Sequence, residues 1–320
     1  MERIDVFNGD ADGICALHQL RLQNPTSQSR LVTGVKRDIT LLDRLTSVKE
    51  AAISVLDISL DRNRDSLLTI LNNHNTVFYV DHHFAGDIPS SGALTTCISA
   101  EPTACTSLLI NDFIHHRYAA WAVVGAFGDN LDETARNLAK TIGVKTADLA
   151  ILKEIGILLN YNGYGASLED LFFSPADLYL QVHPYKDPLD FAATSSTLQT
   201  LRNGYQDDMN KARSLRPALE NTSGRIYELP AAPWARRVSG VFANTLARDK
   251  PDAAHALITT NSDGSLRMSV RAPLDNRTGA DTLCRQFPTG GGRAAAAGIN
   301  ELPADQFDAF IQAFIRQFSG

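Results

Sequence analysis

The sequence predicts an α/β protein in two parts, an N-terminal doubly wound, mostly parallel sheet and a smaller C-terminal α/β domain, joined by a helical linker. Three observations carry this expectation. Strand and helix patterns alternate from Arg3 to Phe113, and such alternation favours a parallel sheet covered on both faces. Two apolar runs, Ala51–Leu56 and Thr76–Val80, are continuous rather than alternating and end abruptly on Asp57 and Asp81, as strands buried on both faces do. No strand pattern is found between Pro188 and about Leu219, and a fresh strand and helix pattern begins at Gly224. The expected domains are therefore 1–187, a linker over 188–223, and 224–320.

The 320 residues are 44% hydrophobic and 21% charged, ordinary for a globular protein with material for two domains. No apolar run approaches the roughly 20 residues of a membrane span, and the charged start leads straight into a strand pattern instead of a signal peptide. A cytoplasmic protein without membrane contact is expected. The cysteines, Cys15, Cys97, Cys105 and Cys284, are scattered without a CxxC pair, which suits buried small side chains better than zinc or disulfides. A formal net charge of -6 argues against binding long duplex DNA, which needs a basic face. It leaves room for a small anionic substrate, because divalent cations bound to clustered carboxylates invert the local sign.

In chain order, Ile4–Asn8 reads as a strand and Gly9-Asp10-Ala11-Asp12-Gly13 as the turn into a helix through Ile14, Leu17 and Leu20. Asp10 and Asp12 can project to one side of a turning backbone, and one of them also suits the helix cap. Arg30–Val35 reads as a second strand and Ile39–Leu45 as a short helix. Asp57 then ends the third strand, Leu60–Leu71 is an amphipathic helix, and Asp81-His82-His83 closes the fourth strand. A carboxylate and two imidazoles in a row offer ligands for a divalent metal, and the sheet edge where strands end is where chemistry collects in open α/β folds. Ala93–Ser99 is a strand and Thr103–Phe113 a helix. His115-His116 follow that helix and read as surface or capping residues. Tyr118–Phe127 is too evenly apolar for a surface helix and delivers Asp129 from a buried element. Helices are expected over Asp132–Ile142 and Ala147–Leu159, closing on turn chemistry at Asn160–Gly165.

In the C-terminal part, Arg225–Leu229, His255–Thr260 and Leu266–Ala272 read as strands, with Ala235–Arg248 a helix between the first two. Asn261–Gly264 is a hairpin turn signal. Thr289-Gly290-Gly291-Gly292-Arg293 combines bare backbone N–H groups with a guanidinium, which suits a phosphate or carboxylate, and an amphipathic helix runs from about Pro303 to Phe318.

Taken in order, Asp10-Ala11-Asp12-Gly13, Asp57 after an apolar strand, Asp81-His82-His83, Asp129 after Gly128 and the segment Gly290–Gly298 resemble the motifs of the DHH/DHHA1 phosphoesterase superfamily. The resemblance covers nearly the whole chain and points to the RecJ-like, oligoribonuclease-like and bisphosphate-nucleotide phosphatase-like branch. Two departures stand out. Many relatives carry a histidine ahead of the first aspartate pair, where this chain has Val6 and Asn8; relatives also usually have histidine after the glycines, where this chain has Arg293. A weaker likeness joins Asn160–Gly163 to an Asn-Ala-Ala-Gly segment of single-strand exonucleases, with Tyr164 in place of arginine.

The resemblance implies an active site in the cleft between the domains. It implies two metal ions, usually Mn2+ with Mg2+ as a substitute, held by Asp10, Asp12, Asp57, His82 and Asp129, with Asp57 bridging. Asp81 would orient an imidazole and His83 would contact the scissile phosphate or assist the leaving oxygen. Gly291, Gly292, Arg293, Arg271, Ser269 and Asn162 would bind substrate. The expected activity is two-metal hydrolysis of phosphodiesters in short single-stranded nucleic acid, linear or cyclic dinucleotides, or related nucleotides. Hydrolysis of polyphosphate or pyrophosphate and non-catalytic nucleotide binding are the alternatives. Tyr161, Tyr164 and Trp234 are candidates to stack on a base.

Overall fold

The computed structural model describes residues 1–26, 28–261 and 263–319; Ser262 of the expected hairpin turn lies outside them. The chain forms two compact units, Met1–Gly204 and Tyr205–Gly320.

The first unit starts with β1 (Arg3–Phe7), α1 (Ala11–Gln23), β2 (Arg30–Val32), a 3-10 turn at Leu41–Leu45, β3 (Ala52–Leu56), α2 (Leu60–Asn72), β4 (Thr76–Asp81) and β5 (Leu94–Ile98). All five strands are parallel, in the order β2-β1-β3-β4-β5. The chain leaves β1 in one direction to form β2 and returns on the other side to form β3, so the switch point where the order reverses lies between β1 and β3. Register fixes the level of the strand ends: Phe7 pairs with Leu56, which pairs with Val80. Asp57 and Asp81 therefore emerge side by side, with the turn carrying Asp10 on the other flank of Asp57.

Helices cover both faces. On one, Leu60, Leu67 and Ile70 of α2 and Leu41, Leu42 and Leu45 pack on Ile4, Val6, Ile53, Val55, Val77 and Tyr79. On the other, α1 is buried almost all round because it lies between the sheet and further helices. These are α3 (Thr106–Phe113), α4 (Ala119–Gly128) and α6 (Thr146–Gly163), with α5 (Asp132–Thr141) packed on α4. The crossing of α1, α4 and α6 is close because the residues at it are small. A methyl group added at Gly128 would run into Ala11, and one at Gly156 would lie 2.9 Å from the Gly128 nitrogen. The apolar stretch before Asp129 is thus the buried helix α4, whose cap is Asp129 itself. His115 and His116 are exposed past the end of α3, as expected. The unit ends with α7 (Pro175–Val182), α8 (Pro188–Thr194) and the first half of α9 (Ser196–Arg213), at whose middle the two units divide.

The second unit contains β6 (Leu219–Asn221), β7 (Gly224–Glu228), α10 (Pro233–Asp249), β8 (Ala254–Thr260), β9 (Leu266–Arg271), α11 (Ala280–Cys284), β10 (Gly290–Arg293), β11 (Ala296–Leu302) and α12 (Phe307–Phe318). Its six-stranded sheet has the order β10-β11-β9-β8-β7-β6, with β7 and β8 parallel and the other pairs antiparallel. Met268, Val270, Ala297 and Ile299 face a core closed by Leu283, Phe310 and Phe314.

Two local expectations are corrected. Asn160–Gly163 is the last turn of α6, not a turn beyond it. The glycine run is an edge strand rather than an open loop: Gly290–Arg293 pairs with Ala296–Ile299. Gly292 sits at φ 135°, where a side chain would collide with Ala297, and a Cβ at Gly290 would meet the Cys284 carbonyl, so these two positions of the hairpin require glycine.

Candidate metal and phosphoester site

The site is built at the switch-point edge of the parallel sheet. Asp10 is the N-cap of α1; its Oδ1 accepts the backbone N–H groups of Asp12 (3.0 Å) and Gly13 (3.1 Å), which leaves Oδ2 facing away from the helix. Asp12 does something that the sequence did not announce. Its two oxygens accept the first amides of α3, from Thr106 at 2.7 Å and Ser107 at 2.8 Å. It thereby ties α1 to α3 and satisfies donors that a helix start leaves open. Carboxylate oxygens keep further lone pairs after such bonds, so Asp12 remains able to meet a cation.

Asp57 is 2% exposed and stands at φ 61°, a left-handed conformation that aspartate tolerates better than most residues. That backbone turns the chain sharply at the end of β3. Thr106 Oγ1 donates to Asp57 Oδ1 at 3.2 Å. His82 Nε2 lies 3.3 Å from Asp57 Oδ1, 3.7 Å from Asp129 Oδ2 and 4.0 Å from Asp12 Oδ2, so one imidazole nitrogen faces three carboxylates from three different elements. His83 Nδ1 donates to Asp81 Oδ1 at 2.7 Å, and the two imidazole rings lie 4.4 Å apart.

The electrostatics are lopsided. Burial first, then the charges of Asp10, Asp12, Asp81 and Asp129, push the Asp57 carboxyl well above the usual range. Asp129 is pushed up to about 6 by burial and by Asp12 and Asp10, against the pull of Lys36 and His82. Burial would also raise Asp10, but the Lys36 ammonium and the Gly13 N–H outweigh it and lower that carboxyl. The hydrogen bond to Asp81 raises His83 despite its partial burial. Among the described residues, the five carboxylates Asp10, Asp12, Asp57, Asp81 and Asp129 share a single lysine contact, that of Lys36 with Asp10.

Lys36, just beyond β2, is the residue that the sequence reading missed. Its Nζ lies 2.6 Å from Asp10 Oδ2 and donates to Asn160 Oδ1 at 3.2 Å, and it sits 5.4 Å from the centre of the Tyr164 ring. Burial alone would lower the ammonium, but the Asp10 charge raises it overall. The available signal was positional: Lys36 follows another strand of the same sheet, and a cluster of buried carboxylates requires some cation.

The donor set fits a hard divalent cation. Oxygens with one or two imidazoles suit Mn2+ or Mg2+. Asp81 Oδ2 is buried without a hydrogen-bond partner, and the uncompensated carboxylates would be costly without a cation. Among the described residues, Asp57, His82 and His83 offer ligand atoms within 4.8 Å of one another.

The residues expected to bind substrate separate. Asn162 is fully buried and spent on the backbone of Phe173, donating to its carbonyl at 2.9 Å and accepting from its N–H at 3.2 Å. It braces the chain and is corrected to a structural role. Tyr161 is likewise buried, against Phe172, and cannot stack on a base. In the second unit, Arg293 pairs across β11 Ala296 with Arg271, and Gly291 across Gly298 with Ser269. These rows put Arg293, Arg271 and Ser269 on one sheet face, where Arg271 donates to Ser269 Oγ at 3.1 Å and to Asn244 Oδ1 at 2.8 Å. Gly292 points the other way.

No protein-family model and no curated protein matches the sequence. Solved structures do. Exonuclease RecJ bound to manganese is 20% identical with a TM-score of 0.64, over 98% of this chain and 89% of that one. RecJ of Thermus thermophilus in complex with Mn2+ is 18% identical with a TM-score of 0.65; 98% of this chain matches only 51% of that protein. The pGpG-specific phosphodiesterase PggH of Vibrio cholerae is 13% identical with a TM-score of 0.59, over 99% of both chains. These likenesses show the fold: the parallel five-stranded sheet and the second sheet are the two-domain architecture of RecJ and DHH-domain proteins.

Proposed function

We propose that this chain is a divalent-cation-dependent phosphoesterase of the DHH/DHHA1 superfamily, hydrolysing phosphodiester bonds in linear dinucleotides, short single-stranded oligonucleotides or related nucleotides. The observation that carries the reading is the convergence of His82 Nε2 on Asp57, Asp129 and Asp12 at the strand-end edge of the sheet. The names of the structural neighbours, an exonuclease and a dinucleotide phosphodiesterase, support nucleotide-containing substrates.

Asp10, Asp12, Asp57, His82 and Asp129 would hold two ions, Mn2+ for preference and Mg2+ as a substitute. When bound, such ions polarise a phosphoryl group and acidify a water molecule. The protein's own part is to reverse a repulsive field and to place a proton. A phosphodiester anion meets five carboxylates unless cations cover them. His83, whose affinity for a proton Asp81 strengthens, would give that proton to the departing oxygen as the ester bond breaks, while the attacking water loses a proton to solvent and its oxygen bonds to phosphorus. In this reading residues 1–187 carry the chemistry, 188–223 connect, and 224–320 grip the substrate through Arg293, Arg271, Ser269 and the Gly291 and Gly292 backbone.

The test is a panel of linear dinucleotides, short oligomers, cyclic dinucleotides, 3',5'-bisphosphate nucleotide and polyphosphate, incubated with Mn2+. Mononucleotide release from dinucleotides or short oligomers is expected. Phosphate release from polyphosphate alone would replace this reading with a phosphoanhydride hydrolase.

A further inference from the structure

The carboxylate cluster has two unlike sides. On one, His82 faces Asp57, Asp129 and Asp12, with no lysine or arginine in the group. On the other, Asp10 already has a cation. Asp10 Oδ1 is committed to the Asp12 and Gly13 amides, and Lys36 Nζ covers the remaining oxygen, Oδ2, at 2.6 Å.

Lys36 is held there at both its backbone and its ammonium. Its backbone N–H donates to Gly163 O at 2.9 Å, and its carbonyl accepts from Asn8 Nδ2 at 3.3 Å. Asn160 Oδ1 and the Tyr164 ring take up the rest of the ammonium. An ammonium has three donors and no acceptor, so it can serve Asp10, Asn160 and the ring face together. Its neighbour Asn8 holds an Oδ1 that is buried without a partner. The Asp10 side is thus furnished for an ammonium.

We propose that Lys36 is a built-in competitor for one of the two cation places: a divalent ion enters first on the Asp57, His82 and Asp129 side, and a second reaches Asp10 only by displacing the Lys36 ammonium. The inference rests on the metal-dependent reading above and adds to it an order and an inequality of binding. Two positive charges cannot share Asp10 Oδ2 without mutual repulsion. A two-ion state therefore requires Lys36 to move.

The experiment is titration of the full chain with Mn2+ alone, followed by calorimetry and by electron paramagnetic resonance of free and bound ion. The wild type should bind one ion tightly and a second at least about tenfold more weakly. Lys36→Met should tighten the second step by about tenfold or more, while Lys36→Arg, which keeps the charge, should leave the steps unequal. Lys36→Gln retains a polar head without charge and should behave as the methionine variant does, which covers the case in which Lys36→Met does not fold. Two equal affinities in the wild type, or an unchanged second step in both neutral variants, would overturn the proposal while leaving a metal-dependent enzyme in place. Failure of every form to bind Mn2+ would overturn the metal-dependent reading and this inference with it.

Discussion

His83 Nδ1 donates to Asp81 Oδ1 at 2.7 Å, and Asp81 is completely buried at the end of β4. The strand fixes the carboxylate, and the carboxylate fixes the ring's tautomer and angle, so the exposed edge of His83 is aimed by a buried group. Asp81→Asn keeps an acceptor of the same shape and removes its charge. Activity should fall by roughly 10- to 100-fold. His83 then loses its proton at a lower pH, so the alkaline limb of the kcat profile should move to lower pH. A profile of kcat against pH for both forms checks this.

Asp57→Asn separates chemistry from folding. Asparagine tolerates the left-handed backbone that Asp57 adopts, and the substitution removes a carboxylate that burial and four neighbouring carboxylates disfavour. The metal-free variant should melt no lower than the wild type. Stabilisation by Mn2+ should shrink, since an ion bound only to the folded state contributes about 2.7 kcal/mol at one hundred times its Kd. Melting temperatures with and without Mn2+ test both expectations.

The packing that holds Asp129 near Asp12 depends on Gly128, Ala11 and Gly156, where α4 crosses α1 and α6. Gly128→Val has no room for its branches and should cost about 1–3 kcal/mol, the usual penalty of overpacking. Because Asp12 and Asp129 flank this crossing, Mn2+ affinity should weaken in the same variant. Urea denaturation and Mn2+ titration measure the two effects.

Part of this was legible in the sequence. Strands that end on Asp57 and Asp81 announce themselves, because an apolar run closed by a carboxylate has few other readings in a parallel sheet. The alternation of strand and helix predicts that those ends share one edge, while the register that sets them level is seen only in the pairing of Phe7, Leu56 and Val80. Lys36 was hidden because nothing local marks it; its role exists only once Asp10 and Asn160 surround it. Asn162 and the triple glycine misled for opposite reasons. Asn162 has turn chemistry but its amide is satisfied by Phe173, and the glycines look like a loop because a strand without side chains has no alternation to read.

His18 offers an independent check of the first unit. It is fully buried, its Nε2 donates to Tyr185 O at 2.7 Å, and its ring stands edge-on to Trp121. Burial lowers its pKa to about 4. In the unfolded chain the group titrates near 6.5, so between those values the unfolded state binds more protons and stability falls as pH falls. The histidine accounts for up to about 3 kcal/mol of acid destabilisation between pH 6.5 and 4. His18→Leu should flatten the dependence in that window relative to the wild type, measured by urea unfolding at intervals of pH.

The proposal that the Asp57 and His82 cluster is a metal-dependent phosphodiesterase centre is tested most directly by following mononucleotide release from a linear dinucleotide with Mn2+, with chelator, and with Asp57→Asn. The expected result is turnover that requires Mn2+ and drops at least about 100-fold in the variant. Turnover that survives both the chelator and the substitution would contradict it.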